Sequence, residues 1–544
     1  MLNIPKHAVV FTLAFALHSF AAPLSSSAPP TVKISNGTVI GSTQGAIDTF
    51  YGIPYADPPT GTQRLRPARV LTQPFGTITA TAQPKSCPQF ASQGLAAPDD
   101  PTQSEDCLIV NIQRPSVICQ DAKLPVVLWI HGGGFEIGDA NSDASMFIQK
   151  SIDLGQPFIF VALQYRLGAF GFLAGKEMRD DHATNIGLRD QRLAMEWVQD
   201  NIQAFGGDPS KGESAGAASV YDHLIINNGD NSYKNGTLFR AAIMHSGAAL
   251  PSLEVTHSKP QDVYDTVVRA AGCSTTSDTL DCLRQLPYAQ FLEAANSLPN
   301  AFGYRALDLA YAPRPDPSTE FFSVSPEEAM VTGKYARVPI ITGNQEDEGP
   351  FFALYQFDLK NTDDLVDYLL SYFPLATKRD IVQLVATYPN DPRAGAPYNT
   401  GTDWILYPQF KRLASIIGDL DFILVRRCYL DEVWSTVPAW SFLGTYLSGS
   451  PVLGTTHVAD LLEIFGGIPV SQPVDAMRTY YTSFFNHMDP NAISSAATAL
   501  EWPQYNTTTR PLMNYGAAEN TITTDDFRQP SAEQICVDRQ RFRI

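Results

Sequence analysis

Two hydrophobic patterns alternate along the chain. Residues 126–130 (VVLWI) and 158–163 (FIFVAL) are short, unbroken apolar runs. Runs of that length predict strands buried on both faces, as in a parallel sheet. Residues 241–244, 338–342 and 440–443 are further strand candidates. Helical periodicity appears between them. In residues 187–205, Leu193, Trp197, Val198 and Ile202 fall on one face, and Gly206-Gly207 supplies a stop. Strands interleaved with helices predict an α/β fold: a large, mostly parallel sheet with helices on both faces. In such sheets ligands bind beyond the carboxyl ends of the strands, and chemistry is sought there.

The N-terminus has a different pattern. Lys6 and His7 precede an apolar run over 8–17, followed by His18-Ser19-Phe20-Ala21-Ala22. A basic start, a short apolar middle and a small-residue exit are the parts of a secretory signal. Residues 1–22 are therefore expected to be a signal peptide, cleaved after Ala21 or Ala22. The run falls short of the roughly 20 apolar residues that span a bilayer. No second long run follows, so a secreted, extracellular protein without a membrane span is expected. Asn36, Asn235 and Asn506 head glycosylation sequons. The seven cysteines include two close pairs, Cys87/Cys107 and Cys273/Cys282, spaced to close short loops in an oxidising compartment. An odd count leaves at least one thiol free. No CxxC or His-rich spacing points to zinc, and no metal or cofactor is expected.

Composition narrows the classes. Of the 544 residues, 44% are hydrophobic and 17% charged, enough apolar surface to offset the entropy of ordering. Fifty-six acidic against 38 basic residues give a net charge of −18, which argues against a nucleic-acid partner. No repeat period and no low-complexity linker divide residues 31–544.

Two glycine-rich motifs carry the candidate chemistry. Gly212-Glu213-Ser214-Ala215-Gly216 is a GxSxG pattern. A serine on a very tight strand-to-helix turn needs neighbours without Cβ, and the turn lifts its hydroxyl clear of the sheet. Trp129-Ile130-His131-Gly132-Gly133-Gly134-Phe135 follows a strand directly. Its glycines let backbone N–H groups converge on one point, as an oxyanion hole requires. A phosphate loop is excluded, because Lys211 precedes Gly212 where GxxxxGK[ST] needs a lysine after the glycine.

With these motifs the chain resembles the type-B carboxylesterase/lipase family, which includes cholinesterases and secreted fungal lipases. Tyr51-Gly52-Ile53-Pro54-Tyr55-Ala56, Ser104-Glu105-Asp106-Cys107-Leu108, Asn185-Ile186-Gly187-Leu188-Arg189-Asp190-Gln191 and Phe205-Gly206-Gly207-Asp208-Pro209 are similar to family stretches. So is the run from Gln164-Tyr165-Arg166 to Phe172. The resemblance implies the α/β-hydrolase fold, one catalytic domain over 31–544, and hydrolysis of small-molecule or lipid esters without a cofactor. It implies a catalytic triad in the order Ser214, Glu348, His457. Glu348 lies in Asp347-Glu348-Gly349 and His457 in Thr456-His457-Val458-Ala459-Asp460, with Phe465-Gly466 after it. Glu346 and Asp347 are nearby alternatives for the acid, with a solvated loop as their other reading, and His487 is a rival histidine. The N–H groups of Gly133, Gly134 and Ala215 are the implied oxyanion donors. Arg64–Glu105 and Arg166–Asp190 are implied structural ion pairs, and Cys87–Cys107 and Cys273–Cys282 implied disulfides. The first loop, 88–106, is a lid in lipase members. Here it is short, with Phe90, Leu95, Ala96 and Ala97 as its apolar residues, and favours short-chain esters over lipid interfaces.

One departure stands out. The family pattern places a short apolar strand between its F-G-G-D-P and G-E-S-A-G motifs. Here Pro209-Ser210-Lys211 runs straight into Gly212, about four residues short at ~3.3 Å each. Ser210-Lys211 is not expected to supply a buried strand. The alternative reading is a catalytically impaired or non-catalytic binding member, or a mis-spliced product of an active gene.

Overall fold

The computed structural model describes residues 28–90, 100–119, 122–215, 217–247, 249–300, 303–466 and 471–544; the side chains of 209–215 and 496 are not part of that description. The expected signal peptide, the lid residues Leu95, Ala96 and Ala97, and Gly216 lie outside the described residues.

Among the described residues, eleven strands form one mixed sheet. In chain order they are β1 Ser42–Gln44, β2 Ile47–Pro54, β3 Ile109–Pro115, β4 Leu124–Ile130, β5 Ile159–Leu163, β6 Gly207–Ala215, β7 Ala241–His245, β8 Ile340–Gln345, β9 Ala439–Gly444, β10 Pro511–Tyr515 and β11 Asn520–Thr524. Their spatial order is β11-β10-β9-β8-β7-β6-β4-β5-β3-β2-β1. Neighbours from β5 to β10 are parallel, and the strands at both edges pair antiparallel.

The helices used below are α1 Ser145–Asp153, α2 Ile186–Asn201, α3 Ala217–Ile225, α4 Phe410–Gly418, α5 Leu424–Val433, α6 Ala459–Phe465, α7 Gln472–His487 and α8 Gln529–Val537. Alternation along the central strands feeds two cores. Val126, Leu128 and Ile130 of β4, with Ile159, Val161 and Leu163 of β5, join the core on one face, which also holds Leu188 and Ala194 of α2. Val127, Trp129, Phe160 and Ala162 point the other way, against Phe147 and Ile148 of α1 and Tyr480 and Phe484 of α7. The apolar runs are unbroken because both faces are covered. The amphipathic stretch 187–205 is α2, tightening into a 3-10 turn over Ile202–Phe205 and stopping at Gly206, which takes φ 90°. No helix among the described residues is long and apolar enough to cross a membrane.

The shortened segment is not left out of the sheet. Gly207–Ala215 is drawn into β6, between β4 and β7. Gly207 pairs with Leu124 but Gly212 with Val126, so five steps on β6 face two on β4 and the excess bulges from the ladder. From Gly212 the register is regular, with Ser214 level with Leu128 on β4 and Ala242 on β7. β4 continues two residues further, to Ile130, and β7 three, to His245. At ~3.3 Å per residue the Ser214 backbone sits about 7–10 Å below the carboxyl rim of its neighbours.

Three disulfides close loops: Cys87–Cys107, Cys273–Cys282 and Cys428–Cys536. Cys119 is a free, exposed thiol. Arg64 grips Glu105 through two bonds of 2.6 and 2.8 Å, and Arg166 grips Asp190 through 2.7 and 2.6 Å. Both pairs are largely buried, so removing one partner would strand a charge in the core.

Candidate active site

β8 ends at Gln345, and the chain turns at the carboxyl rim through Glu346, Asp347 and Glu348. Glu348 is fully buried. The Gln345 N–H donates to its Oε1 at 2.7 Å, which aims Oε2 at the Nδ1 of His457, 2.6 Å away. Gly349 makes this turn possible: a Cβ there would overlap the Ala414 carbonyl oxygen of α4. His457 comes from the loop between β9 and α6, where Val458 takes a left-handed φ of 65° before the helix starts. Its ring packs against Phe352 at 5.1 Å and Phe422 at 4.8 Å. The imidazole keeps one-fifth of its surface exposed. With Nδ1 committed to the carboxylate, Nε2 is the nitrogen left for proton transfer.

His457 lines a cavity of about 370 Å3, bounded on another side by Gly132, Gly133 and Gly134. Leu250, Leu307, Leu309 and Phe351 make its walls apolar, and Ala217, Ala218 and Ser219 bring in the first turn of α3. The glycine loop is curled by its own backbone. The N–H groups of Glu136 and Ile137 both donate to the Gly133 carbonyl at 3.1 Å. Gly133 takes φ 110°, and a Cβ there would overlap the Ile137 carbonyl. Among the described residues the Gly133 and Gly134 N–H groups have no acceptor. His131 braces the loop from below: it stacks on Tyr165 at 4.6 Å, and the Tyr165 hydroxyl donates to its carbonyl at 2.9 Å. Burial holds the His131 pKa below its usual value, which favours the neutral ring.

The structure thus brings His457, Gly133 and Gly134 around one cavity, with Glu348 buried behind the imidazole. The side chains of Ser214 and Ala215 lie outside the described residues; their backbone runs in β6 beside Leu128 and Trp129. His487 is exposed in the last turn of α7. Of the two alternative acids, Asp347 is fully buried and bonded to backbone, not solvated. Sequence reasoning missed a second imidazole–carboxylate pair on the cavity wall. His245, the last residue of β7, contacts the Asp460 carboxylate through Nδ1 and the Tyr481 hydroxyl through Nε2 at 2.9 Å. Its only trace in the sequence is an aspartate three residues after His457.

A parallel-centred sheet with a buried carboxylate and an imidazole presented at its carboxyl rim is the arrangement of an α/β-hydrolase. Aspergillus niger EstA is similar in structure, with a TM-score of 0.80 at 25% identity over 94% of this chain and 99% of that one. The sequence model of the carboxylesterase family matches residues 28–532, and the chain belongs to that family; it is a carboxylic ester hydrolase. It is 45% identical over 534 residues to the secreted triacylglycerol lipase LIP1 of Gibberella zeae, covering 94% of this chain and 90% of that one. It is 44% identical over 548 residues to secreted lipase 1 of Botryotinia fuckeliana, covering 95% and 94%.

Proposed function

We propose that this chain is a secreted serine hydrolase that cleaves carboxylic esters through an acyl-enzyme on Ser214, with residues 31–544 as one catalytic domain. The observation that carries the reading is the 2.6 Å bond between Glu348 and His457 on the wall of a cavity shared with the glycine loop. Serine is a weak nucleophile at neutral pH. His457 takes its proton through Nε2 as the hydroxyl attacks the ester carbonyl. Glu348 fixes the tautomer with its proton on Nδ1 and stabilises the imidazolium. The N–H groups of Gly133, Gly134 and Ala215 hold the oxyanion, and each such donor typically lowers the barrier by ~2.7–4 kcal/mol. Collapse of the tetrahedral intermediate expels the alcohol, which takes the proton from His457. Water then repeats the sequence to free the acid. No cofactor enters any step.

Apolar cavity walls suit alkyl acyl chains, and the similarity to relatives named as lipases supports lipid esters as candidate substrates. Export is supported by the N-terminal pattern, by the relatives named as secreted and by three disulfides. Of the proposed glycosylation sites, Asn235 is exposed beside a short hairpin, and Asn36 and Asn506 are partly exposed. The test is hydrolysis of p-nitrophenyl butyrate and octanoate by the wild type and Ser214→Ala, with a fluorophosphonate probe mapped by mass spectrometry. Turnover that falls at least about a thousandfold in the variant, with label on Ser214, is expected. Equal rates for the two proteins and no label would establish the non-catalytic reading instead.

A further inference from the structure

Between α4 and α5 the chain makes a π-helical turn, Asp419–Ile423. Such insertions widen a helix by one residue and re-aim the side chains they carry, often at functional sites. Three side chains of this turn have separate destinations. Asp419 points to the protein body, where it accepts two bonds of 2.7 Å from Arg528 and one of 2.9 Å from the Tyr388 hydroxyl. Phe422 packs on the catalytic imidazole and stacks on Phe352 at 5.6 Å. Asp421 lies between these two and lines the cavity, with Leu307, Leu309, Phe351 and Phe352 also on the wall.

Asp421 has no hydrogen-bond or ion-pair partner among the described residues. An isolated carboxylate in apolar surroundings is costly and avoids the cost by keeping its proton. Asp421 is partly exposed to the cavity, and desolvation by the cavity walls, reinforced by the negative charge of Asp308, pushes its pKa up to about 8. At neutral pH the group is mainly a carboxylic acid, with one O–H donor and a carbonyl acceptor turned to the ligand space. A plain alkyl chain leaves both unpaired, whereas a hydroxyl satisfies both at once.

We infer that Asp421 is a specificity-determining residue of the ester site, selecting substrates that carry a free hydroxyl near the scissile bond over their plain alkyl analogues. The inference rests on the reading of this cavity as the ester site. The hydroxyl sits either on the acyl chain or on the alcohol, as in a partial glyceride, and the same carboxyl recognises both. His457, the glycine loop and the π-turn line one cavity, and Phe422 of the turn touches the imidazole, which places the neighbouring Asp421 close to the ester-binding space.

The experiment compares kcat/KM for wild type, Asp421→Asn and Asp421→Leu on matched pairs. One arm pairs p-nitrophenyl octanoate with p-nitrophenyl hydroxyoctanoates substituted at successive carbons. The other pairs propyl octanoate with 1-monooctanoylglycerol. The wild type is expected to favour a hydroxylated member of at least one arm by about tenfold, the worth of one hydrogen bond whose loss leaves a group unpaired. Asp421→Leu is expected to erase that preference and to raise turnover of the plain ester. Asp421→Asn, which still donates and accepts, is expected to retain most of it, an outcome a purely structural role does not produce. A second readout is independent of turnover: the rise in Tm on adding 1,2-octanediol against 1-octanol. The diol is expected to stabilise the wild type more, and both alcohols to act equally on Asp421→Leu. Preferences and Tm shifts that are the same in wild type and Asp421→Leu would overturn the inference. A protein that turns over no ester but discriminates the diol through Asp421 would refute the hydrolase reading and leave this one standing.

Discussion

Glu346, Asp347 and Glu348 are three consecutive acids with three different duties, set by where the chain leaves β8. Glu348 turns inward to His457. Glu346 accepts from the Asn399 amide at 3.1 Å near the surface. Asp347 takes the backbone N–H groups of Tyr398 at 2.7 Å and Thr455 at 2.9 Å, and its own N–H donates to the Thr455 carbonyl at 3.0 Å. It therefore pins the acid turn to the loop that delivers His457 two residues later, which makes it a positioning residue. Burial, then the negative Glu346, pushes the Asp347 pKa up to about 7, against an ordinary 3.8. A carboxyl with a raised folded pKa contributes stability that is complete below the unfolded value and is lost as pH rises through the folded one. The stability advantage of wild type over Asp347→Asn is accordingly expected to shrink between pH 5 and pH 8, by on the order of 2 kcal/mol, as read from denaturant titrations at both pH values. Asp347→Ala, which frees the histidine loop, is expected to lower kcat ten- to a hundredfold with little change in KM, since about 1 Å of misplacement suffices. A pH-independent difference would remove Asp347 from this role. The roles proposed for Glu348 and His457 rest, in the sequence, on their flanking motifs alone. Nothing local separates Glu348 from two adjacent acids; the separation is made by the Gly349–Ala414 contact and by Thr455, which come from distant parts of the chain.

At the scale of elements, legibility followed burial. The runs in β4, β5, β7, β8 and β9 announced themselves because both faces of each strand are covered. β3 did not: Asn111 and Gln113 interrupt its pattern and read as polar, yet both are buried, their amides bonded to the Ala140 and Ser142 carbonyls at 2.9 Å. β10 and β11, at the sheet edge, lack the unbroken pattern. β6 is the instructive case. Ser210 and Lys211 give no strand signal, but the slot between β4 and β7 has unpaired backbone on both sides, and the chain fills it with whatever residues it has. The consequence is the recessed register of Ser214, level with Leu128 instead of at the rim with His457. Inserting four apolar, β-branched residues between Lys211 and Gly212 is therefore expected to advance Ser214, the proposed nucleophile, to the rim and raise kcat for p-nitrophenyl butyrate by at least about a hundredfold. Binding of 1-octanol to the cavity should change far less, because Leu250, Leu307, Leu309 and Phe351 come from other elements. An insertion that leaves kcat where it was would show that the bulge does not limit the reaction.

Across the whole molecule, the three disulfides divide by the length of chain they close. Cys87–Cys107 and Cys273–Cys282 span 20 and 9 residues, and proximity made them legible. Cys428–Cys536 spans 108, a separation from which no pairing can be read. In the chain-entropy account the long bridge stabilises by ~4.8 kcal/mol and the nine-residue one by ~2.6. The long bridge also has a position that the others lack. It fastens α8 to α5, and the segment just before α8 carries Asp525, which pairs with Arg427 at 2.6 Å, and Arg528, which holds Asp419 at the start of the π-turn. That turn presses Phe422 against His457. Replacing Cys428 and Cys536 by alanine is thus expected to lower Tm more than replacing Cys273 and Cys282, measured by calorimetry without reductant. It should also have an effect on the site that loop entropy alone does not produce. Opening the bridge loosens Arg528, then the π-turn, then the aromatic support of the imidazole, so esterase activity should decline several degrees below the global transition. In the Cys273/Cys282 variant the two curves should coincide. Coincident curves in both variants would mean that the C-terminal bridge holds the fold closed without reaching His457.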